Sequence, residues 1–270
     1  AERVVDAHET GMVSAPSPAA TVGGRRFGDQ VKTREELGRP LVLGHRGAST
    51  YAGDNTLEAF RVAVAQGADG IETDIRLTTD GVMVLHHEPD EEGFGVFAEH
   101  SFDQVRAALP EIPTIDEMLD VTAGILLNLE IKNNANQPDY DPQQRAAAAV
   151  VAWVDEHDLR DRVVVSSFDP ETVIRVRVLD DRIVTGQLLD HRTDPDKVLA
   201  KVAACGHQWV LPYHQRLRVG GAGFISEAHR LGLAVGTWTV DKPSRIRAFA
   251  NYGIDAVITN DPKAALEALA

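Results

Sequence analysis

From residue 41 to the C terminus the chain repeats one pattern: a short apolar run, then a longer segment with apolar positions at helical spacing. The runs 41–46, 70–77, 125–132, 163–168, 182–188, 208–213, 233–240 and 255–259 have the length and the Val/Ile/Leu content of buried parallel strands. Helices are predicted between them over Asn55–Ala65, Pro113–Val121, Pro142–Glu156, Pro170–Val178, Pro195–Ala204, Ala222–Leu231, Pro243–Tyr252 and Pro262–Ala270. Proline opens most of these segments and glycine follows several, the asymmetry expected of helix ends. Asn55 and Glu58 form a capping-box variant at the start of the first. Eight strand–helix units predict an α/β fold, a TIM (β/α)8 barrel. An open doubly wound sheet needs fewer strands, and no G-x-G-x-x-G follows the first run.

Two segments fall outside the repeat. Residues 1–40 read as an N-terminal extension, rich in Ser, Ala, Pro and Gly over 14–24, with a short helix predicted near Thr33–Leu37. After the second strand, Asp80-Gly81 signals a turn and 82–85 a further short strand; a small insertion, 88–112, then delays the next helix. The barrel domain is therefore assigned to 41–270.

Composition adds bounds. A chain of 270 residues with 43% hydrophobic and 25% charged positions is an ordinary globular protein. Twenty-seven Lys+Arg against 41 Asp+Glu give a net charge of −14, which argues against nucleic acid as a partner. Cys205 is the only cysteine, so no intramolecular disulfide forms. The longest wholly apolar run, Ala146–Val154, is too short to span a bilayer. No signal peptide is visible. The start at Ala1 suits an exported protein whose signal has been removed, and equally a chain trimmed there; export is the expectation, as is a monomer.

The chemistry lies at the strand ends. LVLGHRG (41–47) and IETDIRLTTDGVMVLHHE (71–88) put histidines, an arginine and a Glu-x-Asp pair where a barrel strand would otherwise be apolar. A carboxylate left unpaired in such an interior costs more than its burial returns. Glu72 and Asp74, two apart, point to one side of a strand, and two anions there with no adjacent cation require a metal ion. Glu130 ends the third strand and completes three hard oxygen donors, a set that favours Mg2+ or Ca2+ over zinc. A simple Glu130–Lys132 ion pair is the competing reading for that residue. His45 and His87 are the acid/base candidates. His8, His100, His157, His191, His207 and His229 read as structural, and His214 is undecided. Arg46 and Lys132 either grip a phosphate or balance the carboxylates, or both. Asn55 either caps its helix or bonds the substrate, with capping the first choice; Trp238 is either pocket wall or core. All these strand-end groups share the C-terminal end of the predicted barrel, where TIM-barrel sites form.

HRG (45–47), DNT (54–56), ETDIRLTTDG (72–81), LHHE (85–88), LNLEIK (127–132), SSFDP (166–170), GTWTVD (236–241) and GIDAVITNDP (253–262), in that order, resemble the glycerophosphodiester phosphodiesterases over 41–262. The resemblance implies a TIM barrel that hydrolyses a glycerol-phosphate diester with one divalent metal. It makes His45 and His87 the catalytic pair, with His87 chosen over His86 by the family spacing. It makes Glu72, Asp74 and Glu130 the metal ligands, Arg46 and Lys132 phosphate contacts, and Glu88 the acidic partner of the second histidine. Asp54 departs from the usual Glu. The insertion looks shorter than in members where it caps the pocket over a small glycerol moiety, which implies a more open mouth. Phe94, Phe97, Leu211, Tyr213 and Leu217 are apolar candidates near that mouth, against the plainer reading that the aromatics pack the insertion.

In this respect the chain is similar to the bacterial, including actinobacterial, lysophospholipase D and lysoplasmalogen-specific phospholipase D members. The expected substrate is a small phosphodiester or a lysophospholipid, cleaved on the headgroup side, through a cyclic phosphate in the neighbouring-hydroxyl route. Two rivals are weaker. A sugar isomerase or aldolase on the same barrel accounts for the carboxylates but not for HRG and LHHE. A non-catalytic lipid-binding barrel does not account for the intact histidines. The related sphingomyelinase D toxins carry disulfides that a single cysteine cannot make.

Overall fold

The computed structural model describes residues 31–217 and 221–270. Eight parallel strands form the barrel: β1 Leu41–His45, β2 Gly70–Leu77, β3 Leu126–Ile131, β4 Val163–Ser167, β5 Val184–Leu189, β6 Trp209–Pro212, β7 Ala234–Thr237 and β8 Ala256–Thr259. They pair in chain order, and β1 closes the ring against both β2 and β8. The helices are α1 Leu57–Ala65, α2 Ile115–Val121, α3 Arg145–Glu156, α4 Pro170–Leu179, α5 Pro195–Ala204, α6 Gly221–Arg230, α7 Pro243–Tyr252 and α8 Pro262–Leu269. The fold is the TIM barrel that the pattern predicts.

Both faces of the strands are covered, which is why the runs are continuously apolar rather than alternating. Outward residues such as Ile71, Ile75, Leu127 and Val165 pack on Phe60, Val150 and Val154 of α1 and α3. Val42, Val210, Val235 and Val257 pack on Leu199, Phe224, Ile246 and Phe249 of α5, α6 and α7. Inward residues Leu41, Leu43, Leu126, Val164, Val184, Trp209, Leu211 and Ile258 fill the barrel, with Val31 and Leu37 in the same cluster. Each such side chain contributes about 1.5–3 kcal/mol on burial. Glycines make the filling possible. A Cβ on Gly186 would lie 2.5 Å from one Leu211 methyl, and a Cβ on Gly236 would lie 3.0 Å from the other.

Several expectations are corrected here. Leu211 is a barrel filler, 2% exposed, not a mouth residue. Leu217 is buried in the layer between β6, α6 and α7. Phe94 and Phe97 pack the insertion: Phe97 is fully buried with Val84, Val105 and Ile112, and Phe94 stacks on His100 at 4.4 Å. That segment also contains an unpredicted helix, Phe102–Ala108, held by a Ser101/Gln104 capping box. The short strand expected at 82–85 forms at Met83–Leu85, antiparallel to β2. Asn55 does not cap α1. The cap is Thr56, whose hydroxyl accepts from the Ala59 amide, because Asn55 is drawn inward by other partners. α2 begins two residues after Pro113, where a Thr114/Glu117 capping box outcompetes the proline as a start. The short helix near Thr33 is present at Arg34–Leu37. The Ser/Ala/Pro/Gly-rich stretch 14–24 and His8 lie outside the described residues. No helix among the described residues is long and apolar enough to cross a membrane.

Candidate active site

Strand register brings the charged residues together. His45 of β1 sits opposite Glu72 of β2, and Asp74 sits opposite Glu130 of β3. Glu72, Asp74 and Glu130 are 4%, 0% and 7% exposed, and one oxygen from each lies within 4.8 Å of the others. Crowding of anions out of water sets their proton affinities. Burial, then Asp74 and Glu130, hold the Glu72 carboxyl well above the usual range. Burial likewise raises Glu130, against the pull of Lys132. Burial works against the Asp74 charge too, but Lys132, Arg46, His87 and the Asn55 amide outweigh it and hold its pKa at about 2.

Cations do stand beside the pair, contrary to the expectation from sequence. Lys132 Nζ lies 2.8 Å from Glu130 and 3.4 Å from Asp74, and Arg46 Nε lies 3.2 Å from Asp74. They do not remove the case for a metal. The buried Asp74 Oδ1 makes no hydrogen bond, with only the Lys132 ammonium 3.4 Å away, and the Glu72 carboxyl is held up by burial and its anionic neighbours. Three convergent, buried carboxylates in that condition fit an oxygen-preferring divalent cation.

Each histidine has its Nδ1 committed. His45 Nδ1 faces Asn260 Oδ1 at 2.7 Å, and its Nε2 lies 3.9 Å from Glu72. The Asn260 amino group donates to Asp241 at 2.9 Å, which turns the amide oxygen toward His45 and Ser49. His45 Nδ1 is therefore the N–H donor, and Nε2 carries the lone pair. Burial and then Arg46 lower the His45 pKa, so the ring is neutral at pH 7. His87 Nδ1 meets Glu88 Oε1 at 2.5 Å. Burial and Lys132 lower its pKa, while Asp74 and Glu88 work the other way. His86 is drawn elsewhere, to the Glu88 carbonyl and Glu91 and onto the Phe97 ring.

The turn after β1 places Arg46. Its backbone is left-handed (φ 55°), with its N–H donating to the Glu72 carbonyl at 2.8 Å. Gly47 follows at φ 86°, where a Cβ would come within 2.6 Å of the Ala59 backbone, so HRG needs its glycine. The Arg46 guanidinium reaches Asp54 at 2.8 Å, the residue that departs from the family pattern. Asn55 does not cap its helix, and its side chain is taken up by β2. It donates to Asp74 at 2.9 Å and accepts from the Thr73 hydroxyl at 2.7 Å.

The model of the glycerophosphoryl diester phosphodiesterase family matches residues 45–264. The chain belongs to this family. It is 25% identical over 254 residues to a glycerophosphodiester phosphodiesterase of Caldanaerobacter subterraneus, covering 83% of this chain and 96% of that one. A Bacillus altitudinis glycerophosphodiester phosphodiesterase is 27% identical over 251 residues, 84% of this chain and 96% of that one. Among solved structures, a putative glycerophosphoryl diester phosphodiesterase from Silicibacter pomeroyi superposes with TM-score 0.73 at 28% identity, covering 85% of this chain and 92% of that one. The Thermotoga maritima glycerophosphodiester phosphodiesterase gives 0.71 at 25% identity, covering 84% and 97%. The family comprises divalent-metal-dependent phosphoric diester hydrolases, and the carboxylate cluster of this member is a candidate metal site.

In this phosphodiesterase-family barrel, His45, Arg46, Glu72, His87, Glu130 and Lys132 line one small cavity with Phe168, Leu188, Trp238 and Ile258. Trp238 is thus a wall. Its ring packs on Phe168 and Tyr213, and its Nε1–H donates to the Leu211 carbonyl. Sequence reading missed four contributors: Asn260, Asp241, Phe168 and Arg76. The first three lie in the matching motifs TNDP, GTWTVD and SSFDP, but nothing local gave them a task. Arg76 had a signal, since it lies two residues past Asp74 on the same side of β2. Its buried guanidinium donates to the His87 carbonyl and to Asp139 and Gln137.

Proposed function

We propose that this protein cleaves glycerophosphodiesters at the headgroup-side phosphate ester and accepts a glycerol bearing one long chain, as a lysophospholipase D. The observation that carries the reading is the buried carboxylate trio beside two histidines with Nδ1 already committed. Held by Glu72, Asp74 and Glu130, a divalent cation, Mg2+ or Ca2+, would supply Lewis-acid polarisation of the phosphate and of the neighbouring sn-2 hydroxyl. His45 Nε2 takes the proton of that hydroxyl, its lone pair directed by the Asn260 contact. The freed oxygen attacks phosphorus, and the bond to the headgroup oxygen breaks. In its protonated form His87 gives its Nε2 proton to the departing alcohol; against the burial that lowers its pKa, Glu88 supports this imidazolium with a carboxylate, where His45 has only the neutral Asn260 amide. The product is a cyclic phosphate, which water opens with the histidine roles reversed. Arg46 and Lys132, both kept charged by the carboxylates despite burial, offset negative charge on the phosphoryl group.

Chain acceptance is supported by the partly buried aromatic wall of Phe168 and Trp238. It is also supported by the linings of the two cavities at the mouth, which draw nothing from 89–112 among the described residues. Choline release from lysophosphatidylcholine and from phosphatidylcholine tests the proposal. Turnover is expected with the first and loss of it with the second, whose sn-2 oxygen is acylated; equal rates would refute the neighbouring-hydroxyl route. A second reading, small deacylated diesters yielding glycerol 3-phosphate, is favoured by a polar groove beside His87. It predicts faster turnover of glycerophosphocholine than of lysophosphatidylcholine.

A further inference from the structure

A larger cavity of about 550 Å3 opens from His87, Glu130 and Lys132 and extends to Asp190 and Arg192. One wall is the loop after β3, with Asn134, Asn136, Gln137 and Tyr140. We propose that this groove is the subsite for the departing alcohol, and that it selects an uncharged, polyhydroxylated headgroup over a quaternary ammonium. The proposal rests on the phosphodiesterase reading, because His87, the group that protonates the leaving oxygen, stands at the inner end of the groove.

The lining chemistry argues for hydroxyls. Asn134 Oδ1 accepts from the Asn136 backbone amide at 2.9 Å and from its side chain at 3.4 Å. Gln137 Oε1 accepts from Arg76 at 3.4 Å. These bonds use the amide oxygens and leave the amino groups of Asn134 and Gln137 as donors for hydroxyl oxygens. Arg76 holds this wall and the His87 carbonyl with one buried guanidinium, so subsite and acid keep a fixed relation.

A quaternary ammonium has no N–H to donate and is recognised by several aromatic faces. Among the described lining residues the benzenoid rings are those of Tyr140 and Phe168, and the Phe168 ring already has the Lys132 ammonium 6.0 Å from its centroid. Three carboxylates line the groove and each already has partners: Glu130 pairs with the Lys132 ammonium at 2.8 Å. Asp169 accepts from Thr172 at 2.8 Å, Gln144 at 3.1 Å and the Glu171 amide at 3.3 Å. Asp190 accepts from the Arg192 amide at 3.0 Å and the Thr193 amide and hydroxyl at 2.8 and 2.7 Å. The Arg192 charge in the same lining opposes a cation further.

Two measurements test this. The first compares kcat/KM for lysophosphatidylinositol and lysophosphatidylcholine in the wild type and in an Asn134→Ala/Gln137→Ala variant, which removes both assigned donors. The wild-type ratio should favour the inositol ester by about tenfold, the scale of two net hydrogen bonds, and collapse toward unity in the variant. A wild-type ratio at or below one, or a ratio the variant leaves unmoved, overturns the proposal. The second needs no turnover: titration with free myo-inositol and with choline, followed by NMR through the side-chain amide resonances of Asn134, Asn136 and Gln137. Saturable shifts with inositol alone are expected, and silence, or an equal response to choline, overturns the assignment. Failure to hydrolyse any diester with any metal would instead count against the phosphodiesterase reading, and the titration would then decide the groove by itself.

Discussion

At the scale of single residues, His45 and His87 each have one ring nitrogen committed to a side-chain oxygen. His45 depends on an amide that is itself oriented by Asp241 through the Asn260 amino group and backbone. Asn260→Ala should therefore lower kcat by about 10- to 100-fold through loss of the fixed tautomer, as removal of outer-shell partners does elsewhere, with metal affinity kept. Steady-state kinetics with metal titration reads both quantities, and an unchanged kcat would remove Asn260 from the mechanism. His45→Ala and His87→Ala should each abolish turnover while calorimetry still registers the metal; near-normal turnover in either would refute its role. His45, Glu72, Asp74 and Glu130 stood out in the chain because charges at strand ends have few structural uses; His87 was separated from His86 only by the family resemblance. Asn260 and Asp241 were not, because their partner His45 is distant in sequence and meets them only where β8 closes on β1.

At the scale of elements, glycine and leucine share one volume. Leu211 of β6 occupies space that side chains on Gly186 of β5 and Gly236 of β7 would need. Gly186→Ala should cost about 1–3 kcal/mol by overpacking, seen as a lower denaturant midpoint with little change in metal binding. An unchanged midpoint would show that the layer has slack. The apolar pattern made Leu211 look like a mouth residue because position along a strand does not reveal depth within the barrel. Helix starts were misplaced for a related reason. At Pro113 proline marks a permitted start but the Thr114 hydroxyl sets it, and at Asn55–Ala65 the Thr56 hydroxyl caps in place of Asn55. In the insertion, Phe94 and Phe97 had two readings, mouth and packing, and Val84, Val105 and Ile112 decide for packing.

At the scale of the whole molecule, closing the ring forces three carboxylates into one buried space. Glu72 and Glu130 then keep their protons to higher pH than free glutamate does. A cation must displace those protons, so its affinity should rise with pH through the raised range of Glu72 and fall as pH drops below it. Calorimetry with Mg2+ or Ca2+ across pH, in buffers of different ionisation enthalpy, should register proton release. An affinity flat down to the ordinary carboxylate range would contradict that electrostatic account. The sequence by itself determined the barrel and the convergence of its carboxylates, because strand–helix periodicity and the two-residue period of a strand are local properties. Only the tertiary structure decided which residues orient the histidines, which apolar side chains face the mouth, and that Arg46 and Lys132 stand beside Asp74. Those depend on contacts between distant strands, and no local pattern encodes how far a side chain sits from the rim.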